Sequence, residues 1–255
     1  MRKSARKTID SKLKHKTANQ PALNLCAINP NRPACSAIAR LSAPVRWMAL
    51  CLILSCLTPL VASADGNAEA VNILVIGDSI SAAYGLPESD GWVALMKEHF
   101  DATSNPVNVI NASISGDTTS GGVARLPRAL EQFKPQIVII ELGGNDGLRG
   151  QSLKLMASNL EEMVKLSLAF GAEPLILGMQ IPSNYGPAYT KQFANTFSAV
   201  AERADVAIVP FMLEPIATDR GYFQPDGVHP TTEAQPLLFE HLKPELERLI
   251  EQIRQ

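Results

Sequence analysis

Five short runs rich in Val, Ile and Leu, each followed by a longer amphipathic stretch, constrain the fold of this chain more than any other feature. The runs are Val71–Ile76, Val107–Ile110, Gln136–Leu142, Glu173–Met179 and Val206–Pro210. Their apolar residues are continuous rather than alternating, which is typical of parallel strands buried on both faces. The pattern therefore predicts an α/β fold with a five-stranded parallel sheet in a flavodoxin-like order and helices on both faces.

The amphipathic stretches that follow the five runs predict the helices. They lie near Gly91–Phe100, Ser120–Phe133, Ser152–Phe170, Ala188–Arg203 and Thr231–Gln252. Proline has no amide hydrogen for the helix ladder, so we expect the last helix to bend or break at Pro236 and Pro244. In open parallel sheets, ligands bind beyond the carboxyl ends of the strands. The loops that follow the five strands are therefore where a functional site is expected.

The first 64 residues differ in composition from the rest of the chain. Residues 1–46 contain a single acid, Asp10, among many Lys and Arg residues, and the apolar run Trp47–Leu57 leads to Val61-Ala62-Ser63-Ala64. A basic segment, a short apolar core and a small-x-small end are typical of a secretory signal peptide. We therefore predict an N-terminal extension with a signal peptide over residues 1–64, cleavage near Ala64, and a hydrolase domain over residues 65–255.

This interpretation places the mature protein in the periplasm or outside the cell, with no stable membrane insertion after cleavage. The apolar core is short for a membrane span, but an uncleaved membrane anchor remains an alternative. The basic stretch is long for a signal peptide, so translation starting downstream, with Met48 one candidate, is a second. A lipoprotein site at Cys56 is a third, although Leu54 is bulky where a small residue is expected.

Charge and cysteine usage exclude several functional classes for the mature domain. The whole chain has 23 Lys and Arg and 25 Asp and Glu, but the first 64 residues hold ten of the basic residues and one acid, so the remainder has a net charge of −11. Such an acidic domain is a poor partner for nucleic acid or anionic lipid. The cysteines all precede the predicted cleavage site: Cys26, Cys35, Cys51 and Cys56. The mature domain therefore has neither a disulfide nor a cysteine nucleophile.

Four short motifs carry the chemistry, and they follow the predicted strands in order. They are GDSIS at Gly77–Ser81, NASISGDT at Asn111–Thr118, ELGGNDGLRG at Glu141–Gly150 and DGVHP at Asp226–Pro230. Together they supply a serine, a glycine amide, an asparagine amide and an aspartate three residues before a histidine. Ester cleavage through a covalent serine needs this set of groups: a nucleophile, oxyanion donors and an oriented base.

Each candidate residue is also compatible with an ordinary structural role. Ser79, Gly116 and Asn145 all lie in sequences typical of turns, yet the complete set favours Ser79 as nucleophile, with its own amide, the Gly116 amide and the Asn145 side chain as oxyanion donors. Among the three histidines of residues 65–255, His229 is the candidate base, because Asp226 at this spacing can orient its imidazole. His99 and His241 lie on predicted helices. The three are too widely spaced in sequence to suggest a zinc site.

These motifs, together with PSNYG at residues 182–186, resemble those of the SGNH (GDSL-type) hydrolases over essentially the whole mature domain. Within that family the chain is most similar to the bacterial periplasmic thioesterase, lysophospholipase and arylesterase group. The resemblance implies a three-layer α/β/α sandwich, a monomer and no cofactor or metal. It also implies a catalytic triad of Ser79, Asp226 and His229, and an oxyanion hole formed by Ser79, Gly116 and Asn145.

The expected substrates are acyl esters: acyl thioesters, lysophospholipids, and aryl or short-to-medium-chain esters. In the resembled enzymes the loop at Gln180–Gly186 contributes to acyl-chain preference, so Ile181, Pro182 and Tyr185 are the predicted substrate contacts, although Ile181 and Pro182 are also compatible with simple loop packing. One alternative is a carbohydrate O-acetyl esterase, for which a more polar and aromatic loop is expected. The other is a non-catalytic binder of lipid or peptidoglycan, which should lack at least one motif residue.

Overall fold

The computed structural model describes residues 70–103 and 106–255. The predicted N-terminal extension, signal peptide and cleavage site, together with all four cysteines, lie outside the described residues. Within this part of the chain, no helix is long and apolar enough to cross a membrane.

Five parallel strands form one sheet in the order β2-β1-β3-β4-β5. Their bounds are β1 Val71–Gly77, β2 Val107–Asn111, β3 Ile137–Glu141, β4 Glu173–Leu177 and β5 Ala207–Val209. All five residues of β3, the central strand, are buried. This explains why its sequence is continuously apolar until Glu141. The predicted flavodoxin-like order is confirmed.

Six α-helices occur in the described residues. They are α1 Trp92–Asp101, α2 Thr119–Phe133, α3 Gly144–Leu148, α4 Leu153–Phe170, α5 Pro187–Ala204 and α6 Gln235–Arg254. Local sequence sets several of their ends. The Thr118 and Ser152 side chains accept hydrogen bonds from backbone amides in the first turns of α2 and α4, and Gly171 ends α4 in a left-handed conformation.

Helices α2, α4 and α5 pack together on one face of the sheet, and α1 packs with α6 on the other. The core between these layers includes large, fully buried side chains such as Trp92, Phe193 and Phe197. The predicted three-layer α/β/α arrangement is therefore confirmed. It leaves the carboxyl ends of the strands as the rim to which all of the motif-bearing loops are attached.

The last helix differs from the expectation. Residues Thr232–Ala234 form a short 3-10 turn, and α6 begins only at Gln235, so Pro236 lies in its first turn, where no intrahelical amide bond is lost. The helix then continues through Pro244 without interruption. The prediction of a break at these prolines is therefore wrong, and a bend at them stays a prediction. The short helix α3 was also missed, because its sequence Gly-Asn-Asp-Gly-Leu is typical of a turn.

Candidate active site

The loops that leave the strands at their carboxyl ends bring the motif residues together. Ser79 lies two residues beyond β1, and Asn145 is the second residue of α3, just after β3. Gly116 lies between β2 and α2, and the Asp226–His229 segment lies between β5 and α6. Ser79, Asn145 and Gly116 therefore meet through the topology of the sheet, whereas the Asp226–His229 segment approaches from a long irregular connection between β5 and α6.

Ser79, His229 and Asp226 form a continuous hydrogen-bonded chain. The His229 Nε2 atom lies 2.9 Å from Ser79 Oγ, and His229 Nδ1 lies 2.7 Å from Asp226 Oδ2. An ionised carboxylate can only accept, so Nδ1 carries the proton and donates it to Asp226. In this tautomer Nε2 has a free lone pair, and it can accept the proton of the Ser79 hydroxyl.

The Asp226–His229 segment is held by its own backbone. The Asp226 Oδ1 atom accepts from the amides of Val228 and His229 at 2.9 and 3.0 Å. The His229 carbonyl accepts from the Gln224 amide at 2.7 Å. Gly227 has φ +68°, a left-handed value that lets the chain turn between the aspartate and the histidine. The segment is therefore folded so that the carboxylate faces the imidazole.

The electrostatics of this pair favour an ionised aspartate. The hydrogen bond from His229, with the two backbone amides, lowers the pKa of the Asp226 carboxyl to about 2. The Asp226 side chain is nevertheless 42% exposed, whereas that of His229 is 18% exposed. The ring of Tyr84 lies against the imidazole with its centroid 4.5 Å away. His229 is thus enclosed between Asp226, Ser79 and Tyr84.

Two backbone amides at the predicted oxyanion site have no protein acceptor. Among the described residues, neither the Ser79 N–H nor the Gly116 N–H donates a hydrogen bond to a protein atom. Gly116 has φ +80°, which a side chain would strain. Unpaired amides beside a nucleophile are suited to bind the oxygen of a bound carbonyl.

The Asn145 side chain is contacted at both of its polar atoms. Its Nδ2 donates to Asp78 Oδ2 at 3.0 Å, and its Oδ1 accepts from Arg149 Nη2 at 3.3 Å. Arg149 Nη2 also donates to the Gly116 carbonyl at 3.0 Å. Two of the three residues predicted as oxyanion donors, Asn145 and Gly116, are therefore linked to each other through Arg149.

Asp78 and Glu141 form a buried acidic pair beneath the nucleophile turn. The Asp78 amide donates to Glu141 Oε2 at 3.1 Å, and Ser81 Oγ donates to the same oxygen at 2.7 Å. Burial raises the pKa of the Asp78 carboxyl to about 6. Burial, followed by repulsion from Asp78, also raises the pKa of the Glu141 carboxyl well above its usual range. The turn that presents Ser79 is therefore anchored to the end of the central strand.

A cavity of about 550 Å³ opens beside these residues. Ile80 and Gly144 line it on the Ser79 and Asn145 side, and Gly227 and Val228 line it near His229. Most of its other wall residues are apolar: Leu148, Met179, Ile181, Pro182, Phe211, Leu213, Ala217, Phe223 and Pro225. The polar wall residues are Gln180, Arg220 and Gln224. A mostly apolar cavity of this size is within the usual range for small-molecule sites.

Two of the three predicted substrate contacts, Ile181 and Pro182, line the cavity. Tyr185 is not among the lining residues. Its hydroxyl instead donates to the Leu148 carbonyl at 2.9 Å, so Tyr185 reaches the cavity only by supporting a wall residue.

Sequence reasoning missed the walls from the connection after β5, such as Phe211, Leu213 and Phe223. Their signal was present, because large apolar residues in an irregular segment at the strand rim need a surface to cover. It also missed the contacts of Arg149 and Asp78 with Asn145. Metal ligands are not clustered in the described part of the chain, where no three His, Cys, Asp or Glu side chains are arranged to hold an ion.

Comparison with known proteins identifies related sequences. Residues 75–236 match the GDSL-like Lipase/Acylhydrolase family. Esterase TesA of Pseudomonas aeruginosa is 48% identical over 184 residues, which cover 72% of this chain and 92% of the relative. Thioesterase 1/protease 1/lysophospholipase L1 of Escherichia coli K12 is 37% identical over 205 residues, which cover 80% of this chain and 94% of the relative.

A solved structure shows the same fold. The psychrotrophic esterase EstA from Pseudoalteromonas sp., crystallised with the inhibitor monoethylphosphonate, superposes with a TM-score of 0.68. The two chains are 40% identical, and the match covers 71% of this chain and 98% of EstA.

Proposed function

Because this chain belongs to the GDSL-like lipase/acylhydrolase family, it is a hydrolase of acyl esters, and we propose that it works through an acyl-enzyme on Ser79. The observation that carries this proposal is the hydrogen-bonded chain in which His229 lies 2.9 Å from the Ser79 hydroxyl and 2.7 Å from Asp226. A serine whose proton has a positioned acceptor is an activated nucleophile.

In the first step, Ser79 Oγ attacks the ester carbonyl carbon while His229 Nε2 takes the hydroxyl proton. Asp226 stabilises the imidazolium that forms. The carbonyl oxygen becomes an oxyanion, which accepts hydrogen bonds from the unpaired Ser79 and Gly116 amides and from the Asn145 carboxamide. Donors fixed in place before the reaction stabilise this charge more than mobile water does.

In the second step, His229 donates its proton to the leaving alcohol or thiol, and the acyl group stays on Ser79. Water then replaces the leaving group. His229 takes a proton from this water as its oxygen attacks the acyl carbon, and the same oxyanion donors serve again. The bond between Ser79 Oγ and the acyl carbon then breaks, His229 returns the proton to Ser79 Oγ, and the carboxylic acid leaves. These two steps use only water and the side chains and backbone amides of the protein, so we propose that the reaction needs no cofactor or metal.

The apolar cavity beside Ser79 supports a substrate with a hydrocarbon acyl group. Ile181 and Met179 are 9% and 2% exposed and form part of its wall. A hydrocarbon chain placed there loses contact with water, which favours binding by about 0.8 kcal/mol for each buried methylene. Both thioesters and oxyesters fit this arrangement, because the cavity selects the acyl group rather than the leaving group. A carbohydrate O-acetyl ester would leave most of it unfilled.

For residues 1–64 we propose a cleaved secretory segment, and for residues 65–255 a monomeric hydrolase domain in the periplasm or outside the cell. The basic stretch, the apolar run Trp47–Leu57 and the small residues up to Ala64 support this proposal. N-terminal sequencing of the processed protein tests the cleavage site, and light scattering of the purified protein tests the monomer.

The test of the mechanism combines hydrolysis and covalent labelling. The purified protein and its Ser79→Ala variant are assayed with p-nitrophenyl esters of graded acyl length, and both are treated with a fluorophosphonate probe. We expect hydrolysis and labelling by the unsubstituted protein only, with the adduct located on Ser79 by peptide mass spectrometry. Hydrolysis that survives in Ser79→Ala would overturn the proposal.

A further inference from the structure

The Asn145 carboxamide lies between two groups of opposite charge. Asp78 accepts a hydrogen bond from Nδ2, and Arg149 donates one to Oδ1. An ionised carboxylate can only accept hydrogen bonds, and a guanidinium can only donate them. Each end of the amide therefore faces the one kind of partner that suits it.

Rotation of this amide by half a turn would be penalised at both ends. The amide oxygen would then face the Asp78 carboxylate, and the amide nitrogen would face the Arg149 guanidinium. In the first contact two hydrogen-bond acceptors would face each other, and in the second two donors would. The low dielectric beside the buried carboxylate strengthens this repulsion. The two charged residues thus select one of two otherwise similar orientations.

The selected orientation leaves one donor unused. A carboxamide has two N–H groups, and Asp78 takes one of them. The other donates to no protein atom among the described residues. The hydrogen bond from Arg149 to Oδ1 also draws electron density away from the nitrogen, which strengthens this remaining donor.

We propose that Asp78 and Arg149 are positioning residues that fix the Asn145 amide with its free N–H available to the oxyanion. The inference rests on the proposed function, in which Asn145 donates to the oxyanion. It adds a role for two residues that need not touch the substrate themselves.

The positioning groups are themselves held in place. Asp78 is 2% exposed, and its Oδ1 accepts from the Ile80 amide at 3.1 Å, which ties the carboxylate to the turn that presents the nucleophile. Arg149 reaches from the end of α3 to the Gly116 carbonyl. One chain of hydrogen bonds therefore connects the turns of Ser79, Asn145 and Gly116, so the three predicted donors keep a common geometry.

The test is a set of double-mutant cycles. Asp78→Asn and Arg149→Gln preserve shape but remove the charge that opposes rotation, and each is made alone and together with Asn145→Ala. We expect Asn145→Ala to lower kcat by roughly 10²–10³, and each positioning variant to lower kcat by about tenfold with little change in KM. Because both act through the same amide, neither should lower kcat further in the Asn145→Ala background.

Two controls separate positioning from folding. Arg128→Gln changes an exposed arginine of α2 that makes no hydrogen bond or ion pair within the described residues, and it should leave kcat unchanged. Arg149→Lys keeps a charged donor and should recover part of the activity lost in Arg149→Gln. Asp78→Asn removes a buried charge that repels Glu141, so its Tm should stay equal or rise while kcat falls. A merely structural role would lower both.

The outcomes are distinct. Losses of kcat that multiply in the double variants, or full activity in Asp78→Asn and Arg149→Gln while Asn145→Ala is impaired, would overturn the positioning role but leave the proposed function standing. Full activity in Asn145→Ala with none in Ser79→Ala would overturn this inference and the Asn145 donor, but not the nucleophile. Activity in Ser79→Ala would overturn the proposed function and this inference with it.

Discussion

The two sides of the site are built on different supports. Around Asn145 and Ser79, the supporting carboxyls of Asp78 and Glu141 are 2% and 0% exposed. On the opposite side, the Asp226 side chain is 42% exposed and lies on an irregular segment. The first side is part of the core, whereas the second is a folded loop attached to the surface.

This difference gives the two sides opposite responses to pH. The pKa of Asp226 is lowered from 3.8 to about 2. Its contribution to stability is therefore complete above about pH 4 and is lost as the pH falls toward 2. The pKa of Asp78 is raised from 3.8 to about 6 by burial. The folded state therefore binds its proton more tightly than the unfolded state, and Asp78 reduces stability as the pH rises through this range. At neutral pH the exposed Asp226 carboxylate therefore stabilises the folded state. The buried Asp78 carboxylate destabilises it, and interactions elsewhere in the core must offset this destabilisation.

The largest predicted effect is on activity alone. Replacement of Ser79 or His229 by Ala should lower kcat on the order of 10⁵–10⁶, since each removes the nucleophile–base unit as a whole. We expect thermal unfolding, followed by circular dichroism, to change by only a few degrees, because both residues lie on loops outside the main core. A His229→Ala variant that keeps a tenth of the activity would show that another group serves as base.

Asp226→Asn should have the next largest effect. An amide in this position no longer favours the tautomer in which Nε2 accepts the Ser79 proton, and kcat should fall on the order of 10⁴. Acid unfolding provides a second measurement. The stability of the unsubstituted protein should fall between about pH 4 and pH 2 partly because Asp226 gains a proton, and the variant should show a shallower dependence. Identical acid profiles would contradict the lowered pKa.

Sequence patterns were sufficient for the parts that depend on topology. The strand runs predicted the sheet and its order, and the motifs at the strand ends predicted which side chains would meet, as Ser79 and His229 do. Ser79 and His229 are 150 residues apart in the chain, yet the spacing of Asp226 and His229 and the expected rim position were enough to pair them.

The other features of the site depend on tertiary packing, which produces no periodic pattern in the sequence. Asp78 reads as a turn residue before the nucleophile, and its contact with Asn145, 67 residues away, exists only because β1 and β3 are neighbours. Phe211 and Leu213 were likewise not identified as cavity walls: they are large apolar residues at the strand rim, but their segment is irregular and has no helical or strand periodicity. The two prolines led to the opposite kind of error, because they predicted a break that does not occur. Pro236 lies at the start of α6, and α6 continues through Pro244.

The buried Asp78 carboxyl should affect the pH dependence of catalysis. Asp78 faces Glu141 from β3, Asp117 from the loop before α2, and His229 from the loop before α6. Protonation of Asp78 near pH 6 removes its preference for the amide nitrogen of Asn145, so activity should fall with acidification through this ionisation. We therefore expect log kcat/KM to fall more steeply with acidification around pH 6 in the unsubstituted protein than in Asp78→Asn, whose activity above this pH should be about tenfold lower. Equal slopes in both proteins would contradict this prediction.

The smallest predicted effects concern the acyl cavity, which lies between the two sides. Ile181 is a cavity wall residue that is 9% exposed, so Ile181→Ala enlarges the cavity. Contacts between the wall and a long acyl chain should then weaken, while the reacting atoms stay in place. We expect the preference among p-nitrophenyl esters to shift by up to about tenfold in kcat/KM, since a few methyl groups in an apolar pocket discriminate by roughly 1–3 kcal/mol.

Tyr185→Phe is the matched comparison, because it removes only the hydroxyl that donates to the Leu148 carbonyl outside the cavity. Its chain-length profile should be nearly unchanged. Equal losses for all chain lengths in Ile181→Ala would show that this wall positions the catalytic groups rather than the substrate.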